Sequence, residues 1–285
     1  MKTAIIASSK DPAGVNIRSN LIRLFEFKDK GEKFGENEVL EYTTQNNQPV
    51  KLYFVNEDLI FAEDIDQKID ADILVFASKH RSKENTPAFT VHPIGNFGGA
   101  DFGGRENALC PSLAFLLKRI LIGLNENFSL LKKEKNFQVT MEATHHGPYV
   151  KKPAVFVEIG STDNEWSNTQ NGELVAKTII SSIEKFLAFE HGNCWASTLL
   201  IGGGHYAPAA NRAMLSTNYA IGHICPKHTL EHLTEGILMQ SIDVIIPKPN
   251  IILLDWKGLG QHKQKIVGLL DSLKIKHERV QNVIP

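Results

Sequence analysis

Short apolar runs alternate along this chain with stretches in which apolar positions recur every three or four residues, which predicts strands and helices in turn. Thr3–Ala7 has the unbroken apolar character of a buried strand. Asp11 and Pro12 are placed to cap and start a helix in which Ile17, Leu21 and Leu24 share a face. Residues 28–50 are polar and glycine-bearing, which suits edge strands, with Val39–Thr43 the best of them. Lys51–Val55 and Leu59–Ala62 read as short strands, and Asp72–Ala77, apolar on both faces, reads as a central one. Ala88–Val91, Phe137–Met141, Ala154–Ile159 and Trp195–Ile201 continue the series. Helices are expected from Pro111 to about Leu124 and from about Gly172 to Leu187, where Leu174, Ile179, Ile183 and Phe186 lie near one face.

Beyond Asn218 the units shorten: a strand at Tyr219–Ile224, a helix near Thr229–Gln240, a strand at Ile251–Asp255, a helix near Gln261–Leu273 and a last short strand. The alternation predicts an α/β protein of three layers, with a core over residues 1–218 and a smaller C-terminal α/β subdomain over 219–285, joined at a soft boundary. Glycine and histidine gather where the strands stop, in the segment from His92 to Arg105, in Ala143–Pro148 and in Gly202–Pro208. The first of these is too long and too well supplied with aromatics for a linker, and reads as an active-site loop.

Composition narrows the classes. A chain of 285 residues that is 42% hydrophobic can bury a full core, and a formal net charge of -1 with pI near 6.8 argues against a generally basic nucleic-acid coat. Two local basic groups remain, Lys79 with Arg81 and Lys83, and Lys132, Lys133, Lys135, Lys151 and Lys152; the default reading of both is a solvated surface. Cys110, Cys194 and Cys225 are odd in number and far apart, which argues against a disulfide framework and fits a reducing compartment. The N-terminal apolar run is too short for a signal-peptide core and no later run has membrane-spanning length, so a cytoplasmic protein is expected. The first strand-loop-helix unit lacks both G-x-G-x-x-G and G-K-[ST], which disfavours a nucleotide cofactor.

The polar groups at strand ends are His92, Asp101, Glu142, His145, His146, Glu158 and His205. Imidazoles with carboxylates suit either a hydrolytic zinc site or a metal-free general-base site, since both must make water nucleophilic near neutral pH. Adjacent histidines in an extended segment point to opposite sides, so His145 and His146 hold two roles. With Glu142 and Thr144 beside them they are the catalytic candidates, and His92, Asn96, Gly203, Gly204 and His205 are candidates to bind substrate. Backbone N–H groups of Gly202–Gly204 or Gly98–Gly99 could approach a developing oxyanion unobstructed. No spacing is H-E-x-x-H, so spacing alone does not specify a metal. His223, His228 and His232 read as a strand end with helix-surface histidines, and Trp166 and Trp195 as core anchors.

Taken together, H-P-I-G-N (His92–Asn96), A-T-H-H-G-P (Ala143–Pro148), V-E-I-G-S-T-x-x-E-W (Val157–Trp166) and G-G-G-H-Y-A-P (Gly202–Pro208) resemble the archaeal and plant type of D-aminoacyl-tRNA deacylase, over essentially the whole chain. The resemblance implies a fold akin to the phosphorylase and peptidyl-tRNA hydrolase group, with a mixed sheet between helix layers and an extra C-terminal α/β part. It implies hydrolysis of the ester joining a D-amino acid to tRNA, extending to aldehyde-modified D-aminoacyl groups, with tRNA as partner and zinc as cofactor. The zinc ligands nominated are His92, His145 and His205, and Lys151 and Lys152 are the nominated phosphate contacts. A monomer is favoured, and a rigid Ile94–Gly99 loop is the expected means of rejecting L side chains. The histidines alone would equally allow a zinc-dependent amidohydrolase or peptidase acting on a small substrate. A non-catalytic RNA-binding α/β protein finds poor support in the near-neutral charge.

Overall fold

The computed structural model describes residues 1–130, 137–188 and 195–285. Strand β1 (Thr3–Ser8) is buried throughout, and helix α1 (Pro12–Leu24) starts where Asp11 accepts a hydrogen bond from the Gly14 N–H at 2.8 Å. The other Asp11 carboxylate oxygen accepts from the Lys79 N–H at 2.9 Å, so the cap also fixes the end of a neighbouring strand. Strands β2 (Lys28–Phe34), β3 (Asn37–Thr43) and β4 (Pro49–Val55) form an antiparallel meander, followed by β5 (Ile73–His80) and β6 (Ala88–His92). Three two-residue strands, β7 (Gly95–Asn96), β8 (Ala108–Leu109) and β9 (Ser112–Leu113), lead into α2 (Ala114–Leu130). Then come β10 (Gln138–Met141), β11 (Ala154–Gly160), α3 (Asp163–Ser167), α4 (Thr169–Leu187), β12 (Ala196–Ile201) and α5 (Pro208–Ser216). The chain closes with β13 (Tyr219–Cys225), α6 (Glu235–Asp243), β14 (Ile245–Ile246), β15 (Ile251–Leu254), α7 (Lys263–Ser272), β16 (His277–Arg279) and α8 (Val280–Val283).

The large sheet has eight strands in the order β10-β6-β11-β5-β1-β4-β3-β2. It is mixed: β1, β4, β5 and β11 run parallel, while β6 and β10 run against β11. Helices α1, α3 and α4 cover one face, beside α2. The other face is closed by Leu59, Ile65, Ile69 and Val150 from turns and loops. A second sheet of four parallel strands, β13-β12-β15-β16, lies against α2 and α5 on one side and α6 and α7 on the other. The mixed α/β architecture is as expected, with helices on both sides of the second sheet and on one face of the large one; the second sheet takes Ala196–Ile201 together with the strands after residue 218.

Several elements differ from expectation for local reasons. Leu59–Phe61 is a 3₁₀ turn, since so short an apolar run does not distinguish strand from turn. The helix expected from Pro111 starts at Ala114 because Ser112–Leu113 pairs with Ile245–Ile246. The helix expected from Gly172 begins at Thr169, where the Asn168 side chain accepts from the Gln170 N–H. The helix expected near Thr229–Gln240 divides into a 3₁₀ turn at Lys227–Thr229 and α6, which starts after Thr234 caps it. No described helix is long and apolar enough to cross a membrane.

Candidate active site

Side chains alternate along a strand, so Leu74, Phe76, Ser78 and His80 of β5 share a face, as do Ala154, Phe156, Glu158 and Gly160 of β11. The register sets Phe76 beside Phe156, Ser78 beside Glu158 and His80 beside Gly160. This face is therefore apolar at the strand starts and polar at their ends. On the other side of β11, Phe156 pairs with His92 and Glu158 with Thr90. The rings of Phe76 and Phe156 stack at 4.8 Å, and Phe156 and His92 stack at 5.2 Å with 2° between their planes. Gly160 is required here: a Cβ would lie 2.7 Å from the His80 ring. Trp166 fixes the same strand end, its indole N–H donating to the His80 carbonyl at 3.2 Å.

Two carboxylates lie on this surface. Glu158 accepts from the Ser78 hydroxyl at 2.6 Å and the Thr90 hydroxyl at 3.1 Å, with His80 Nδ1 at 3.6 Å and His92 Nε2 at 3.7 Å. Glu142, which follows β10, is 0% exposed. His80 Nδ1 lies 3.0 Å from one of its oxygens, and His205 Nε2 at 3.0 Å and His145 Nε2 at 3.5 Å lie near the other. These are ion-pair distances, yet neither Glu142 oxygen has a partner in hydrogen-bond geometry. Buried polar atoms are seldom left so.

The tautomers of three histidines follow from their partners. His92, His145 and His146 each bring Nδ1 to a main-chain carbonyl, of Pro93 at 3.1 Å, Ala143 at 2.8 Å and Gly147 at 2.6 Å. A carbonyl only accepts, so in the neutral form of each ring Nδ1 carries the proton and Nε2 the lone pair. Ligand atoms of the three converge within 4.8 Å of one another, and the buried His92 Nε2 has no hydrogen-bond partner. Metal-binding histidines are commonly oriented by main-chain carbonyls in this way. His80, Glu142 and His205 form a second such group, and His92, Glu142 and Glu158 a third.

Burial opposes charge on all of these groups, and their neighbours decide which of them carry it. Against burial, His205 and His80 hold Glu142 well below the usual carboxylate range, and His80 and His92 do the same for Glu158. Against burial, the two carboxylates push His80 up to about 11, and Glu158 raises His92. Burial with the charge of His92 lowers His146 to about 4, and burial with His92 and His146 lowers His145 well below the usual value. Buried negative charge thus meets lone pairs that take up a proton or a metal cation.

A cleft of about 790 Å³ opens onto this surface, lined by His80, His145, His146, Glu158 and His205 on the reactive side. His145 and His146 are brought together with Glu142, His92 and His205. His80 and Tyr206, which share a contact at 2.9 Å, do not stand out in the sequence. His80 sits in Ser78–Arg81, which reads as charged surface. Glu158 carries a signal, an acid in a strand otherwise apolar.

Other expected site residues have structural work instead. The Thr144 hydroxyl contacts His223 Nδ1 at 3.0 Å and accepts from the Ile224 N–H at 2.9 Å, which commits it away from the cleft. Asn96 is buried and donates to the carbonyls of Gly103 and Arg105, as a strut of its loop. Gly203 is packed against Asp255 and Gly258, and neither it nor Gly204 lines the cleft. Lys152 Nζ donates to the Ile69 carbonyl and Lys151 N–H to Asp66, also outside the lining. The Ile94–Gly99 loop supplies none of the lining either, and Asp101 is exposed beyond it. Cys110 and Cys225 are buried and unpaired; Cys194, Lys132, Lys133 and Lys135 lie outside the described residues.

The family model for D-aminoacyl-tRNA deacylase matches residues 67–278. The D-aminoacyl-tRNA deacylase of Archaeoglobus fulgidus is 35% identical over 96% of this chain and 98% of its own, and that of Thermococcus kodakarensis is 34% identical over 96% and 98%. A crystal structure of a conserved protein of unknown function, AF0625, superposes with a TM-score of 0.85 at 32% identity, covering 99% of this chain and 96% of that one.

Proposed function

This chain belongs to the D-aminoacyl-tRNA deacylase family, and on that premise we propose that its histidine-lined cleft is where the ester of D-aminoacyl-tRNA is hydrolysed. The reaction releases free D-amino acid and tRNA, which returns the tRNA to use and keeps the wrong enantiomer out of translation. The observation that carries the site assignment is Glu142, fully buried, ionised, and without a hydrogen bond to either oxygen among three histidines.

Ester hydrolysis needs a base for water, charge stabilisation at the carbonyl and a proton for the departing ribose oxygen. Glu142 is the base, one of its oxygens lying 3.5 Å from His145 Nε2 and 3.0 Å from His205 Nε2. His80, held protonated between Glu142 and Glu158, keeps both carboxylates ionised in a buried place and supplies positive charge beside the developing oxyanion. His205, its side chain 45% exposed, stands between Glu142 and the cleft and can pass the proton on to the ribose oxygen.

The donor set fits a metal ion. His92, His145 and His146 would hold it through Nε2, which replaces His205 in the expected ligand set by a histidine whose tautomer suits the task. In their neutral forms the three imidazoles favour zinc, which when bound would acidify a water molecule and polarise the ester carbonyl. Aminoacyl-tRNA as substrate supports a cytoplasmic enzyme.

The test is single-turnover deacylation of D-tyrosyl-tRNA and L-tyrosyl-tRNA by the metal-analysed protein. Fast release of D-tyrosine with the L ester spared is expected. Equal rates on the two would overturn the reading.

A further inference from the structure

Among the described residues only two Phe, Tyr or Trp side chains are exposed, Phe61 at 53% and Phe102 at 69%, and both line the reactive cleft. They come from separate segments, the 3₁₀ turn after Leu59 and the glycine-rich loop after β7, which the backbone ties together. Glu63 accepts from the Gly104 N–H at 2.7 Å and the Tyr149 N–H at 3.1 Å, and the Phe102 carbonyl accepts from the Gly147 N–H at 3.1 Å. Gly103 packs so tightly that a Cβ would strike the Ile60 carbonyl and come within 3.1 Å of the Phe61 ring. The two exposed rings are thus carried on stapled backbone, one residue removed from His146. Exposed apolar rings on fixed backbone beside a reaction centre mark a binding surface.

The same cleft is lined by Lys79, Arg81 and Lys83, and by Asp11 and Asp58, with the Arg81 guanidinium over the Trp166 ring at 5.8 Å. Asp11 is already engaged by the N–H groups of Gly14 and Lys79, and neither Lys79 nor Lys83 has an ion-pair partner among the described residues. Flat rings that share a cleft with spare cations suit a nucleotide, whose base stacks while its phosphates meet the charges.

Building on the deacylase reading, we propose that Phe61 and Phe102 form a stacking platform for the 3′-terminal adenine of tRNA, with Lys79, Arg81 and Lys83 on the adjoining phosphates. The terminal base is shared by all tRNAs, so a platform without base-specific hydrogen bonds suits an enzyme that must accept many of them. The ester hangs from the ribose of that nucleotide, which delivers it to the neighbouring histidines.

The probe is an uncharged acceptor-stem RNA with 2-aminopurine as its 3′-terminal base. Stacking on the full-length enzyme should quench its fluorescence. Phe61→Ala and Phe102→Ala, with folding confirmed by thermal melt, should each weaken binding roughly 5- to 150-fold and lose the quench, while Phe102→Trp should restore both. Unchanged affinity and quench in the double variant would overturn the proposal. So would a loss seen only with bulky amino acids on charged tRNA, which would make the rings a pocket for the amino-acid side chain. If the wild-type protein quenches the probe but does not turn over D-tyrosyl-tRNA, the deacylase reading fails and the platform stands. Turnover with no quench does the opposite: the deacylase reading stands and the platform is overturned.

Discussion

The Thr144 hydroxyl and the imidazole of His223 meet at 3.0 Å, and this contact joins the histidine loop of the large sheet to β13 of the small one. His223 Nε2 donates to the Cys110 carbonyl at 2.9 Å, so neutral His223 offers Nδ1 as an acceptor and the Thr144 O–H is spent on it. Thr144→Val should therefore destabilise the protein by about 1–3 kcal/mol, because it strands buried polar partners. Turnover per folded molecule should stay within a few-fold. Urea unfolding with single-turnover kinetics checks this, and a large rate loss at unchanged stability would return Thr144 to the chemistry.

Burial lowers His223 to about 4. Its folded pKa lies below the ordinary value, so its contribution to stability is complete above about pH 6.5 and is lost as pH falls through 4. The loss is about 3 kcal/mol, the free-energy equivalent of that shift. Unfolding free energies for wild type and His223→Gln, measured from pH 7 down to the acid limit, should converge as pH falls. Parallel curves would show that His223 does not titrate with unfolding.

Glu142→Gln keeps the shape of the side chain and removes its capacity to take a proton. Loss of a general base costs ~10²–10⁴-fold in rate. The variant should melt cooperatively and bind tRNA, with D-tyrosyl-tRNA turnover reduced by that factor. Near wild-type turnover would move the base elsewhere, with His205 the next group in line.

His146 has a φ of 44°, in the left-handed region that asparagine tolerates better than most residues. His146→Asn should thus keep the loop while removing Nε2, and bound zinc measured by mass spectrometry should fall along with the rate. Full zinc occupancy in a folded variant would exclude His146 as a ligand.

How far the sequence could be read depended on whether a local signal existed. Strand β5 was legible because it is apolar on both faces, β11 because it is an apolar run broken only by Glu158, and α1 because Asp11 and Pro12 mark its start. The histidine pair, Glu142, His92 and His205 were legible as polar groups at strand ends. His80 was not, because its importance depends on lying across from Gly160, whose missing side chain leaves room for the ring. Thr144, Asn96 and Gly203 occupy the same motifs as the reactive groups yet face away or brace a loop. Which way a side chain turns at a strand end is decided by the neighbouring elements, and the motif itself carries no record of it.

The three imidazoles pinned to main-chain carbonyls are ordered when the chain folds, before any ligand arrives. The His92 Nε2 and both Glu142 oxygens are left as buried polar atoms without a hydrogen bond. An ion that binds only the folded chain would relieve that deficit and shift the folding equilibrium by mass action. The melting temperature should then climb with free zinc concentration and drop in chelator, making thermal denaturation without any tRNA a direct titration of the site.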